Sequence, residues 1–264
     1  MAFDLSNFVV DRIVRAVALS QTDDSVLFAI NQVTNPSLSV TSETAEAVDA
    51  LGVPVAIFNR AKSCEFSAEN ALFDMNLMAV QAGTSKVSAT AGDPIVTPAF
   101  ETIDIDGSTS YTLAHTPNES PAKIYKLNGD GTLGTAYTKA DEASASAFAL
   151  AGTTLTPPTG MVKGEQLFVI YEYNATDAEG NGAVSVVNSA KNFPVGCKLI
   201  VEVLGCDVCD QTNMIFAYLI FPNFKLSPDF DWTISTDSTH PFSGRAMQDY
   251  CDVQKKLYEI VIPE

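Results

Sequence analysis

The sequence predicts a mainly β protein of the α+β class, a β-sandwich or barrel carrying one or two short helices, interrupted by an inserted β-sandwich domain. Three observations lead there. Residues 61–68 alternate, with Lys62, Cys64, Phe66 and Ala68 on one face and Ala61, Ser63, Glu65 and Ser67 on the other. Short strand-like segments recur every 8–12 residues or so across 98–197, separated by strong turns. Finally, Met214–Pro222 (MIFAYLIFP) is apolar at both parities, as a covered central strand requires.

Taken in order, residues 8–19 place Phe8, Val9, Ile13, Val14 and Val17 at helical spacing and predict a short helix, with a strand as the alternative because so many are β-branched. Residues 25–33 read as a strand and Asn35-Pro36 as a turn. Ser37–Thr44 is polar and β-branched, a second strand or an extended arm. The acidic lead from Glu43 breaks at Gly52 and Pro54 and passes into the alternating strand. The period then changes: Leu72, Met75, Met78 or Ala79, and Ala82 predict an amphipathic helix of about three turns. Ser67 or Asn70 is its expected N-cap, and Gly83 its left-handed terminator.

Thr84–Pro98 reads as a linker, rich in small residues with Gly92, Pro94 and Pro98. Strand candidates follow at 109–114, 122–127, 132–137, 147–155, 166–173 and 183–187. Asn128-Gly129-Asp130-Gly131 and Glu179-Gly180-Asn181-Gly182 are typical of the turns between them, since hairpin turns favour residues that tolerate positive φ. Six short strands in 100 residues predict an inserted immunoglobulin-like sandwich, without the Cys–Trp–Cys framework of antibody domains. The expected domains are thus 1–97 and 198–264, two parts of one fold, with 98–197 inserted. In the second part, strands are expected at 198–204, 213–222, 226–235, 244–251 and 256–262. Within 226–235, Leu226, Phe230, Trp232 and Ile234 form one face, and Asp229, Asp231, Thr233 and Ser235 the other.

The net charge of −17 comes from 32 acidic and 15 basic residues, spread evenly over the three segments. Such a chain lacks the local Lys/Arg excess needed to hold a phosphate backbone or an anionic membrane. It remains compatible with DNA passing along an acidic wall without sticking. No secretory signal opens the chain and no run reaches the roughly 20 apolar residues of a membrane helix, so assembly in a cytoplasm is expected.

No nucleophile elbow, phosphate loop, dinucleotide fingerprint or His-Glu-x-x-His motif is present, and no catalytic residue or cofactor is proposed. Five cysteines, an odd number at low density, do not make a disulfide framework. Cys206-x-x-Cys209 supplies half of a zinc site with no matching second half, and reads as a strand-connecting loop. His115 and His240 adjoin turn residues and read as loop residues. Asp104/Asp106 and Asp229/Asp231 would share a strand face, fit for a solvated surface or for Ca²⁺.

The acidic lead, the Asp49-Ala50-Leu51-Gly52 turn, the strand, and the short helix ending in Gln81-Ala82-Gly83 resemble the central segment of phage major tail (tail tube) proteins. The closing stretch from Phe224 to Glu264 is consistent with this, and the resemblance covers 1–97 and 198–264. It implies subunits in rings of six, each giving a sheet to a continuous β-barrel around a lumen. The helix packs outside that sheet, and arms tie ring to ring. On this chain it implies Glu65, Asp229 and Asp231 as lumen-facing residues. Phe66, Leu72, Phe73, Met75, Leu77, Trp232 and Tyr250 become core or interface. The implied partners are further copies of the chain, other tail proteins and passing DNA, with no membrane, and the implied location is the virion tail, assembled in the host cytoplasm. Two alternatives carry different marks. A capsid decoration or other virion surface protein would use the inserted domain as its working module. A glycan-binding β protein would place exposed aromatic side chains beside the Asp pairs.

Overall fold

In the computed structural model, which describes residues 7–118, 122–249 and 253–263, strands dominate and a single helix is present among the described residues. The order is β1 (Phe8–Ser20), β2 (Val26–Ile30), β3 (Val33–Val48), β4 (Pro54–Asn70), α1 (Met75–Gln81), β5 (Val87–Ser88), β6 (Ile95–Asp104), β7 (Tyr111–Thr112), β8 (Lys123–Leu127), β9 (Leu133–Ala140), β10 (Ala147–Ala151), β11 (Thr154–Thr156), β12 (Gln166–Ala175), β13 (Val184–Ser185), β14 (Gly196–Asp207), β15 (Asp210–Leu226), β16 (His240–Ala246) and β17 (Glu259–Val261). The chain divides into two units, 1–86 with 186–264, and 87–185.

The first unit is one eight-stranded antiparallel sheet, ordered β2-β1-β14-β15-β16-β4-β3, with β17 paired to the middle of β15. The sheet curls on itself in a barrel-like way. Phe28, near one edge, meets Phe242, near the other, at a centroid distance of 6.4 Å, while Phe66 stands 5.6 Å from Phe221. These rings, with Leu77 from α1, Leu199 and Val201, form the core. Alternation in β4 follows the sequence expectation: Cys64, Phe66 and Ala68 are buried and Glu65 and Ser67 exposed. Lys62 is exposed, because the left-handed residue Ala61 (φ 46°) and a register shift opposite Thr41 carry the strand away from the core at that point.

In the first unit, several sequence expectations are corrected. Residues 8–20 form a strand, not a helix. Two register shifts against β14, between Val10 and Arg12 and between Ile13 and Arg15, break the two-residue period, so the apolar positions fall at helix-like spacing. The helix is two turns, and its N-cap is Asp74, whose carboxylate accepts from the Leu77 N–H at 2.7 Å. Ser67 and Asn70 still belong to β4, and Leu72 and Phe73 precede the helix; Gly83, at φ 66°, does close it. Residues 227–239 are a loop rather than a strand, since Pro228 has no N–H for a ladder and Ser227 N–H already bonds Ser243 O. The later strands lie at 240–246 and 259–261, and Tyr250 falls outside the described residues.

The second unit is a seven-stranded sheet, β6-β12-β8-β9-β10-β11-β7, curled round its own core of Phe148, Leu155, Leu167, Val169 and Tyr171. The segment expected as a linker contains β5 and the start of β6. Pro98 is tolerated inside β6 because this is an edge strand. The strand expected over 147–155 is a hairpin, β10–β11, turning at Gly152 (φ 57°). β5 and β13, at the two ends of the unit, pair with each other.

Candidate assembly surfaces

Strands β3 and β4 continue as a two-stranded ribbon well beyond the curled part of the sheet, turning at 49–53. The turn is tied by the Asp49 carboxylate, which accepts from the Leu51 and Val53 N–H groups at 2.8 and 2.9 Å. Register puts Phe58 opposite Ala45 and Ile57 opposite Glu46, so both faces of the ribbon carry apolar side chains. Val48, Leu51, Val53, Val55, Ile57 and Phe58 are all exposed, Leu51 to 88% and Ile57 to 60%. Water is an unfavourable environment for so continuous an apolar strip, and such strips mark contact surfaces. The β14–β15 hairpin forms a second apolar tip, where Val208, Met214 and Phe216 are exposed beside Val9 and Val10 of β1. Met214–Pro222 is therefore central in the sheet without being covered along its whole length, correcting the sequence expectation.

Glu65 lies on the face of the sheet opposite the core. Arg245, its neighbour on β16, donates to it from Nη2 at 2.6 Å and from Nε at 2.9 Å. Lys225 follows on β15 in the same cross-strand row, and Ser39 precedes on β3. Ser37, Ser67 and Ser243 make the next row. This part of the face is small and polar, with the Glu65 carboxylate paired to Arg245, and Lys225 as one further cation. Asp229 and Asp231 are exposed in the loop 227–239 and share no strand face, so the geometry expected for a carboxylate pair is absent there. The Asp104/Asp106 pair is divided between partners. Asp104 accepts from Gln166 Nε2, whereas Asp106 accepts from Ser108 N–H and the Tyr111 hydroxyl, which hold its carboxyl down at about 2.

Phe66 and Leu77 are core residues and Met75 is half-buried, while Leu72 is exposed. Phe73 stacks between Trp232 (4.5 Å, 15°) and His240 (5.1 Å, 18°), pinning the loop 227–239 beside the start of α1. His240, expected as a loop residue, is the first residue of β16 and fully buried. Its Nδ1 accepts from Asp74 N–H and its Nε2 faces Gln81 Oε1 at 2.9 Å, so the neutral ring carries its proton on Nε2. Gln81 Nε2 in turn donates to Pro241 O. Burial pushes the His240 pKa down, partly opposed by the Asp74 carboxylate. Pro241 beside it gave the sequence a turn-like look; no local signal marks the burial.

Cys206 is buried and Cys209 exposed at the hairpin turn. Burial alone pushes the Cys197 thiol up to about 12. Among the described residues, no group of three or more His, Cys, Asp or Glu side chains is placed to hold a metal ion, and no helix is long and apolar enough to cross a membrane. The residues that sequence reasoning missed are those of the ribbon, above all Val55, Ile57 and Phe58. Their signal was present as apolar residues at both parities with no Gly or Pro between.

No curated protein matches the chain. A family model does, that of the YomU/Tube protein family, over residues 8–260. That span takes in the curled sheet, both apolar tips and the whole second unit. With nearly the entire described chain inside the match, the protein belongs to the YomU/Tube protein family and is a tube-type structural protein of the phage tail.

Proposed function

We propose that the protein assembles into stacked rings, six subunits to a ring, that form the tail tube through which phage DNA passes. The apolar β3–β4 ribbon carries this reading. A monomer gains nothing from exposing Val53, Val55, Ile57 and Phe58 together, whereas a ring or stack that covers them recovers the burial energy. The sheet also ends in β2 and β3, edges that neighbouring subunits would pair or cover. The lumen face in this reading includes Glu65, with the serine rows around it, and the Asp229/Asp231 loop at its rim. Serines, a paired Glu65–Arg245 and the single further cation Lys225 offer DNA no strong hold, because binding a phosphate backbone takes a local excess of Lys and Arg, while the overall acidity repels its phosphates. Other tail proteins cap and extend the tube, assembly takes place in the host cytoplasm, and the protein performs no catalysis.

Residues 87–185 are an immunoglobulin-like module displayed on this assembly. The separate core of that unit also favours a second reading, a decoration protein in which the module does the work. Negative-stain electron microscopy of the concentrated protein at near-neutral pH tests both. Hollow tubes or stacked six-fold rings are expected. Monomers or small compact oligomers at every salt and protein concentration would shift the reading to decoration.

A further inference from the structure

We infer that a cavity at the root of the β3–β4 ribbon receives the ribbon tip of a second copy of the chain, a contact that rests on the stacked assembly already proposed and names the surface the ribbon meets there. Between the register pairs Thr41–Ser63 and Glu43–Arg60, Ser42 alone stands opposite both Ala61 and Lys62. Such a bulge bends the strand and re-aims its side chains. With Ala61 left-handed at φ 46°, it brings Lys62 to the wall of a cavity of about 760 Å³. Lys255 and Gln248 line the same cavity, with Ala246, Leu257 and Tyr258 as its apolar wall. Among the described residues, no carboxylate lines it.

Charge along the ribbon selects the occupant. From Thr44 to Asn59 the ribbon carries Glu46 and Asp49 and no basic side chain. At its root, Glu43 stands opposite Arg60, and the cavity adds Lys62 and Lys255. An acidic tip and a basic root on one element attract head to tail, whereas two tips repel each other. The tip also brings Leu51, 88% exposed, which the apolar wall of the cavity would take out of water. Extended strand from Gly52 to Ala61 spans about 30 Å. A straight paired ribbon therefore holds its tip away from its own root, and the occupant is another copy. Tip and root are different surfaces, so the contact passes from copy to copy instead of ending at a symmetric dimer.

The test is charge reversal in the full-length protein. Light scattering gives the concentration at which copies associate, at low and at high salt, and a thermal melt of each dilute variant checks its fold. Glu46→Lys and Lys62→Glu are each expected to raise that concentration at least threefold, and by less at high salt. A chain carrying both substitutions is expected to associate near the parent concentration, because each reversed tip then meets a reversed root. Both positions are exposed, so the fold is retained; Lys255→Glu takes the place of Lys62→Glu if that variant melts lower. A parent that associates, with a folded Lys62→Glu variant associating at the same concentration, overturns the inference and leaves the tube reading standing. A double variant no better than either single one also overturns it, giving the ribbon tip a different acceptor. A parent that stays monomeric at every concentration overturns both the contact and the tube reading.

Discussion

On the proposed assembly, replacing Ile57 by aspartate is expected to raise the protein concentration at which copies of the chain associate at least fivefold while leaving the monomer folded. Ile57 sits on the β3–β4 ribbon with 60% of its surface open to water. Fully burying an isoleucine is worth about 1.5–3 kcal/mol, so covering the exposed fraction in a neighbouring subunit contributes about 1–2 kcal/mol. Losing it weakens each contact by about 5- to 30-fold. Burying a carboxylate without a partner adds a further cost. In the monomer, Ile57 is not part of the core cluster, and the same substitution should change stability by no more than about 1 kcal/mol. The assay is light scattering against protein concentration, with microscopy of the products and a thermal melt of the dilute protein. An Ile57→Asp protein with an unchanged melt that assembles at the parent concentration would refute the argument that the ribbon is an assembly contact.

Stability should fall as the pH drops below about 6.5, by up to about 1.4 kcal/mol per pH unit for the His240 contribution. His240 is held neutral by burial, so its folded pKa lies below the unfolded value. The unfolded chain takes up a proton first, and the loss ends once the pH passes below the folded pKa. Urea midpoints between pH 7.5 and 5, read from the single tryptophan, Trp232, check this, and a His240→Gln variant should flatten the slope relative to the parent. Gly83→Ala should destabilise the first unit by about 2–4 kcal/mol, because a left-handed alanine is strained and its Cβ would stand 2.4 Å from the Phe193 backbone; a lowered urea midpoint with unchanged slope would show it. Phe66→Ala, at the meeting of Phe221 and Phe242, should cost about 3–5 kcal/mol in the same measurement.

The sequence was most legible where one strand face meets the core and the other meets water. Phe66 and Glu65 could be assigned to opposite sides from period alone. It misled where alternation had another origin. Phe230 and Trp232 alternate with Asp229 and Asp231 because the two rings fold back towards Phe73 and His240, not because a strand is paired there. Residues 8–20 misled in the opposite sense, since two bulges disguise a strand as a helix. β6 was hidden by Pro94 and Pro98, residues that exclude a central strand but not an edge. Burial of His240 and Gln81 depends on elements some 160 residues apart, a contact that no local pattern encodes.

The pairing of β5 with β13 gives residues 87–185 the connectivity of an exchangeable part. Their two ends are held one strand spacing apart, about 4.8 Å. To the rest of the chain, an excursion of almost a hundred residues is therefore equivalent to a tight turn. Closing a floppy excursion of that length would cost about 3 kcal/mol more than closing four residues. The two paired strands carry that cost locally, so a change in the length of the module leaves the chain ends that enter the first unit where they are.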